Sequence, residues 1–428
     1  MTIAVIVLVV LFLLMFLGVP IAISLILASI SGFLSSIYYV PLEVVPQRLL
    51  TSVDSFPLLA IPFFMLTGEF MMSGSMGQKI AGFAFASVGW LRAGLAQVST
   101  LTCMFFAGIS GSGAADTAAV GKMMIPMMEK KGYDIGFAAA TVASAGTIAV
   151  VIPPSIPMIV YGVTAGVSIG DLFTAGIVPG ILIGLSIMML NYWLTKKNNY
   201  SQENTKFEFS SFKKTFFEGI LALILPLIII FGIRGGIFTP TEAGAVAAAY
   251  AFIINKFVYK DMDWKDIPEA FIKAGKMTGM VVFIIAAANL FGWLLTAEQI
   301  PQHLVNLVTG FSDNRYLILL MFTVIFFIAG CFLNASAAIT ILTPLLLPIA
   351  IAAGIDPIFF GLIMVVNLSI GLITPPVGLD LFVVKGIADI SYDKLVRSIV
   401  PFIVVMVVDL LIITYFPALS MFLVAMGK

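Results

Sequence analysis

The sequence predicts an all-α polytopic membrane protein made of two inverted-topology repeats. Each repeat carries a re-entrant helical hairpin and a helix broken at a Pro-Pro pair. Three observations predict this. Hydrophobic residues make up 61% of the 428 residues and charged residues 10%, against roughly 45–50% and about 25% in soluble domains. One stretch of unusual residues occurs twice, 222 positions apart and without a gap. Lysine and arginine then collect on one side of the membrane that the apolar runs imply.

The first copy reads Phe105-Phe106-Ala107-Gly108-Ile109-Ser110-Gly111-Ser112-Gly113 and runs on through Pro126 and Gly132 to Pro153-Pro154. The second reads Phe327-Ile328-Ala329-Gly330-Cys331-Phe332-Leu333-Asn334-Ala335-Ser336 and runs on through Pro348 and Gly354 to Pro375-Pro376. Asp134/Asp356, Asp171/Asp393 and Pro179/Pro401 match at the same offset. Chance does not keep so many Gly, Pro and Asp in register, so the chain is an internal duplication. Residues 1–195 form the first repeat, 196–214 a polar linker and 215–428 the second repeat.

The elements follow in order. Residues 8–17 end at Gly18-Val19-Pro20 and a second apolar run reaches Tyr38, giving two short spans or one broken one. Residues 39–55 are amphipathic, with Leu42, Val45, Leu49 and Leu50 against Glu43, Arg48 and Asp54, and suit the interface. A span covers 57–72, and 76–92 reads as interfacial. Residues 93–131 hold apolar flanks on either side of Gly111-Ser112-Gly113. Each flank is too short to cross roughly 30 Å of hydrocarbon at about 1.5 Å per residue, which predicts a hairpin with its tip at the Gly/Ser turn. Residues 133–166 are a helix that Pro153-Pro154 breaks, since two prolines remove two backbone donors. Such a break is tolerated at membrane depth only where it is buried or lines a cavity. A span follows at 172–195. The second half repeats the plan: spans at 216–233 and 242–258, a polar interfacial stretch at 260–276 and a span at 277–295. An amphipathic piece at 300–311 precedes a hairpin at 315–353 with its tip at 334–336. A helix at 356–387 is broken at Thr374-Pro375-Pro376, and the last span is 399–416.

Charge gives the orientation. With the linker cytoplasmic and Lys122 left out because it lies inside a hairpin, seventeen lysines and arginines, from Lys79 to Arg397, fall inside and four fall outside: Arg48, Arg234, Arg315 and Lys428. That bias puts both termini outside. Five crossings per half is odd, so the second copy is inverted; inverted repeats with paired broken helices are the sequence signature of a secondary transporter. A zero formal charge gives no case for nucleic acid, and a single histidine, His303, excludes a haem or zinc site built on histidines. Cys103 and Cys331 read as buried small hydrophobes. No His-Glu-x-x-His or Walker A motif is present, so neither zinc-dependent hydrolysis nor nucleotide hydrolysis is expected of this chain.

Each tip and its paired break are expected to meet. The turns supply freed carbonyls with Ser, Thr and Asn oxygens, a set that suits a hard cation and resembles sodium coordination by unwound helices. The sodium ligands so predicted are Ser110, Ser112, Gly113, Thr147 and Pro153 in the first unit and Asn334, Ser336, Thr374 and Pro375 in the second. The helix N-termini past each turn favour an anionic group, which assigns a substrate carboxylate to Ser110, Gly111, Ser155, Ala335, Ser336, Val377 and Gly378. No cofactor is expected. Glu69, Asp116, Lys122, Asp380 and Asp409 lie in or near apolar stretches, where ionisable groups are functional candidates. Asp116 and Asp380 follow the helix restarts, so they either serve the helix dipole or function, and Asp380 has Lys385 as an available partner. The four tryptophans read as interface anchors, and Met and Phe as lipid-facing or core filling.

The Phe-Phe-Ala-Gly-Ile-Ser-Gly-Ser-Gly run, Ile152-Pro153-Pro154-Ser155, the Asn334 tip and Thr374-Pro375-Pro376-Val377-Gly378 resemble the large membrane subunit of TRAP (tripartite ATP-independent periplasmic) transporters. So do Gly18-Val19-Pro20 and Ala60-Ile61-Pro62-Phe63-Phe64. The resemblance covers essentially the whole chain. It implies an ion-transporter-superfamily-like, elevator-type, sodium-coupled importer in a bacterial inner membrane. A small four-helix membrane subunit and a periplasmic substrate-binding protein are the implied partners, beside Na+, an organic-acid substrate and the lipid bilayer. The stretch from Ser110 to Asp134 looks most like the sialic-acid (N-acetylneuraminate) branch. Two rival classes are a channel, which would need a continuous polar path where the duplicated closed hairpins suit alternating access, and a membrane-embedded enzyme, for which no His-Glu-x-x-His or Walker A motif is present. A stand-alone dicarboxylate–sodium symporter is the nearest alternative; transport without partners would distinguish it.

Overall fold

A computed structural model describes residues 2–36, 41–198, 200, 206–311 and 314–427 of the chain. The described residues form helices joined by turns, seven of them long and apolar enough to cross a membrane. The start of the first amphipathic stretch, at 39 and 40, and most of the middle of the linker, at 199 and 201–205, lie outside the described residues.

The chain opens with α1 (Thr2–Phe16) and α2 (Ile21–Ser35), packed on each other as two helices and not one broken span. The Gly18 turn at φ +81° makes the reversal and Pro20 starts α2. The short α3 (Val44–Thr51) leads through a 3-10 turn at Phe56–Leu59 into α4 (Ala60–Ser73), then α5 (Met76–Val88). The helix–turn–helix pair α6 (Gly94–Ser110) and α7 (Gly113–Lys130) turns at Gly111 and Ser112. α8 (Ile135–Gly146) tightens to a 3-10 turn at Thr147–Val150, breaks, and restarts as α9 (Ile156–Ala165). α10 (Ile169–Asn198) closes the first half.

The second half runs α11 (Phe209–Arg234), α12 (Pro240–Ile253) with a π-helical end at Ile254–Tyr259, then α13 (Asp266–Ala297) and α14 (Ile300–Phe311). The second helix–turn–helix is α15 (Arg315–Phe332) with α16 (Ala335–Ala352); the second interrupted helix is α17 (Pro357–Gly371) with α18 (Leu379–Ala388). α19 (Tyr392–Tyr415) and α20 (Ala418–Ala425) finish the chain. The repeated aspartates explain themselves here. Asp134 caps α8, accepting from the Phe137 amide at 3.0 Å, and Asp356 caps α17, accepting from Ile358 at 2.8 Å; such caps are worth about 1 kcal/mol each. Asp134 also meets Lys394 of α19 at 2.8 Å. Burial opposes its charge, but the bonds from Lys394 and the Phe137 amide outweigh burial and hold its carboxyl below the usual range.

Three expectations change. The polar stretch 260–276 is no separate interfacial piece: from Asp266 it is the first part of α13, one helix 32 residues long. The last span starts at Tyr392, not 399, because Ser391 caps it through the Lys394 amide. Asp380 makes no ion pair with Lys385; its side chain is buried beside Gly113. Both cysteines are buried, as expected.

The halves interlock. α4 packs on α12, and α2 on α13, forming a frame. α7 of the first hairpin packs on α18, and α16 of the second on α9, so each hairpin leans on the restarted helix of the other half.

Candidate functional site

The first turn is built by Gly111, held at φ +60°, a left-handed value that glycine adopts without cost. A Cβ there would stand 2.7 Å from the Pro154 carbonyl oxygen. The turn touches its paired break: the Ile156 amide donates to the Gly111 carbonyl at 3.4 Å. The second unit does the same, the Gly378 amide donating to Cys331 O at 3.4 Å. Donors 156 and 378 are the same repeat position, while the acceptors differ, since Gly111 maps onto Leu333 and not Cys331, so each tip is tied to its own break from the same donor position. Pro153-Pro154 and Pro375-Pro376 are both cis peptides.

The two tips converge on one cavity of about 270 Å³. Gly111, Ser112, Gly113 and Ala114 line it from the first tip, and Asn334, Ala335 and Ser336 from the second. Val150 and Ile156 flank it from the first break, and Leu372 and Leu379 from the second. Its far wall is Met65 of α4 with Met277, Met280, Val281 and Ile284 of α13. That wall was not legible in the sequence, where these methionines read as filling.

The other predicted residues lie behind this surface. Ser110 turns away from the cavity: its hydroxyl donates to Asp116 Oδ1 at 2.5 Å and accepts from the Ser112 amide at 3.2 Å. Ser155 caps α9, accepting from the Met158 amide at 3.3 Å while donating to Val150 O at 2.5 Å. Thr147 donates to Ser144 O at 2.7 Å and Thr374 to Ile370 O at 2.8 Å. Asn334 caps α16 with its Oδ1, accepting from Ala337 N at 2.8 Å, while it also faces the cavity. Val377 and the Pro375-Pro376 pair are pinned from α19: Tyr392 Oη donates to Pro376 O at 2.7 Å and lies 3.3 Å from Val377 O. Pro153, Val377 and Gly378 do not line the cavity. Of the charged candidates, Lys122 is exposed and Asp409 accepts from Ser186 of α10 at 2.9 Å. Asp116 and Asp380 are 1% and 0% exposed beneath the first tip.

A helical membrane bundle whose duplicated turns meet at one cavity, against a frame of packed helices, is an arrangement that membrane transporters use. The chain belongs to the family described as "Tripartite ATP-independent periplasmic transporter, DctM component", whose family model matches residues 8–419. It is a multi-pass inner-membrane permease of that family. It is 44% identical to the isethionate TRAP transporter permease protein DctMQ of Oleidesulfovibrio alaskensis, over 95% of this chain and 64% of that protein. It is 43% identical to the C4-dicarboxylate TRAP transporter large permease protein DctM of Pseudomonas aeruginosa, over 92% of each. The sialic acid TRAP transporter permease protein SiaT of Haemophilus influenzae is 38% identical over 95% of this chain and 66% of its own length. The chain thus spans about two thirds of the DctMQ and SiaT relatives and nearly all of the DctM one. Among solved structures, the Alcanivorax borkumensis YdaH transporter, described as of unusual topology, shares the fold at TM-score 0.64 and 15% identity, covering 87% of this chain and 88% of that one.

Proposed function

We propose that this chain is the substrate-translocating subunit of a sodium-coupled importer of an organic acid. A periplasmic binding protein delivers the acid and a small membrane subunit completes the permease. The observation that carries the reading is the convergence of both tips on one cavity, each tip hydrogen-bonded to its own break. Turn oxygens of this kind suit sodium, and the starts of α7 and α16 turn free N–H groups and partial positive charge toward the same space. Acidity is what the relatives' named substrates share: isethionate, C4-dicarboxylates and sialic acid. The sialic-acid permease is no nearer in identity than the dicarboxylate one, so the substrate class is a carboxylate or like anion, with sialic acid one candidate. The charge bias supports a cytoplasmic linker and periplasmic termini.

Uptake by reconstituted protein tests this, with sodium, binding protein and a panel of acids each present or withheld. Uptake should need all three. Ser112→Ala and Asn334→Ala should each raise the sodium concentration for half-maximal uptake several-fold. Unchanged sodium dependence in both variants would reduce the tips to packing elements. Uptake without any partner would favour the stand-alone symporter, and high conductance a channel.

A further inference from the structure

The cavity between the tips has two unlike sides. On the tip side a few donors are left for a ligand. Ser112 spends its backbone amide on Ser110, and Ser336 its carbonyl on Thr340, which leaves both hydroxyls free among the described residues. Asn334 gives its Oδ1 to the Ala337 amide and keeps its NH2. The first backbone amides of α7 and α16 have no partner inside their own helices. These donors match the lone pairs of one carboxylate, about four.

The opposite side is apolar. Met65, Met277, Met280, Val281 and Ile284 form it. α13 carries no charged side chain from Met277 to Ala297, so the wall keeps this character beyond the cavity. The Thr278 hydroxyl is spent on the Met65 sulfur at 3.6 Å. No lysine, arginine or histidine lines the cavity among the described residues. Lys276, next to Met277 in the chain, is exposed and outside the lining. The ionisable side chains beneath the first tip are both acidic. Asp116 accepts from Ser110 and Asp380 from Thr117, and the two carboxylates lie within electrostatic range of each other.

We infer that the acid this chain carries is a monoanion with an apolar body, its one carboxylate at the tips and its body against the methionines of α4 and α13. This rests on the organic-acid reading and narrows it. A hydroxyl-rich acid would bury hydroxyls against that wall without partners and lose roughly tenfold in affinity for each. A dianion would bring a second negative charge to a lining without a cation, above two acidic side chains. Methionine is flexible and polarisable, so the wall tolerates aliphatic and aromatic bodies alike. A cavity of about 270 Å³ falls just under the usual range of ligand pockets, roughly 300–1,000 Å³, so the acid is small. The tips hold the charge, and the frame takes part in selectivity.

Equilibrium binding of radiolabelled acids to the purified full-length chain tests this, in sodium and in choline. The binding protein is withheld, since its own selectivity would otherwise enter. Hexanoate, adipate and gluconate share one chain length and differ in a second carboxylate or in hydroxyls; butanoate has a shorter body. In sodium, hexanoate should bind roughly tenfold or more tightly than adipate or gluconate. It should also outbind butanoate by about fourfold for each further methylene buried. Val281→Thr keeps the shape of the wall and adds a hydroxyl, and Met277→Gln adds an amide. Each should narrow the gap between hexanoate and gluconate several-fold; the wild-type comparison stands even if a variant fails to fold. Sodium-dependent binding of adipate or gluconate as tight as that of hexanoate would overturn the inference and leave the organic-acid reading standing. So would an unchanged gap in both variants. Binding of every acid that is the same in sodium and choline would overturn the sodium-coupled organic-acid reading and this inference together.

Discussion

Gly330 and Gly371 bring the backbones of α15 and α17 into contact. A Cβ on Gly330 would stand 3.1 Å from the Gly371 Cα, and one on Gly371 would run into the Gly330 backbone itself. Backbone cannot swing aside as a side chain can, so Gly371→Ala should part the second hairpin from its interrupted helix. We expect a cost of about 1–3 kcal/mol, typical of overpacking, read as a lower Tm in detergent, with Gly330→Ala milder. Equal stability of both variants and wild type would show that the helices separate freely. At this scale the sequence was partly readable. The duplicated Gly108/Gly330 stood out, but Gly371 has Ala149 as its repeat counterpart and carried no signal. Asn334 read as an ion ligand because its type fits; that its Oδ1 also caps α16 depends on the local turn. Asp116 and Asp380 were visible as buried charges, yet their proximity comes from packing α7 on α18, which no local pattern encodes.

The elements were more legible than the residues, because apolar runs, glycines and Pro-Pro pairs act locally. Hairpins and interrupted helices lie where those signals put them. Apart from the earlier start of α19, the exception is α13. In the first half a short helix, a turn and a span are separate: α3, residues 52–55, then the helix from Phe56. In the second half the corresponding residues are one continuous helix. Pro57 maps onto Gly279 at the repeat offset, and proline disfavours helical backbone at the residue before it while glycine only weakens a helix. Charge marked 260–276 as a distinct piece, but charge does not stop a helix. Gly279→Pro should break α13 as Pro57 does the first half, at about 3 kcal/mol, with lower Tm and slower uptake. Gly279→Ala, with open space around its Cβ, should be neutral or stabilising by up to about 1 kcal/mol. A proline variant as stable and active as wild type would mean that α13 need not be continuous.

For the whole molecule, the cavity has one wall of hairpin tips and another of α4 and α13. We propose that the tips and breaks move as one body along that second wall, as in an elevator, while the frame stays fixed. The interlock of α7 with α18 and of α16 with α9 favours a single moving body. In a chain with Cys103 and Cys331 replaced, cysteines at Ala335 and at successive α13 positions from Met277 to Ile284 should crosslink in different pairs inward and outward. The spacing should differ by several ångströms along the membrane normal. Tips at the same depth in both states would leave a rocking motion instead. In the same background a lone cysteine at Phe207 should resist an impermeant reagent in intact cells, as a cytoplasmic linker requires.

The contact between α7 and α18 also bears on biogenesis. Asp116 and its neighbour Asp380 stand roughly 260 residues apart in the chain, which at about 5–20 residues per second is a delay on the order of tens of seconds during synthesis. The first hairpin must therefore reach the membrane with an acidic side chain whose cover has not yet been translated. Some helper, whether water, the insertion machinery or an early ion, has to shelter that carboxylate until α18 arrives.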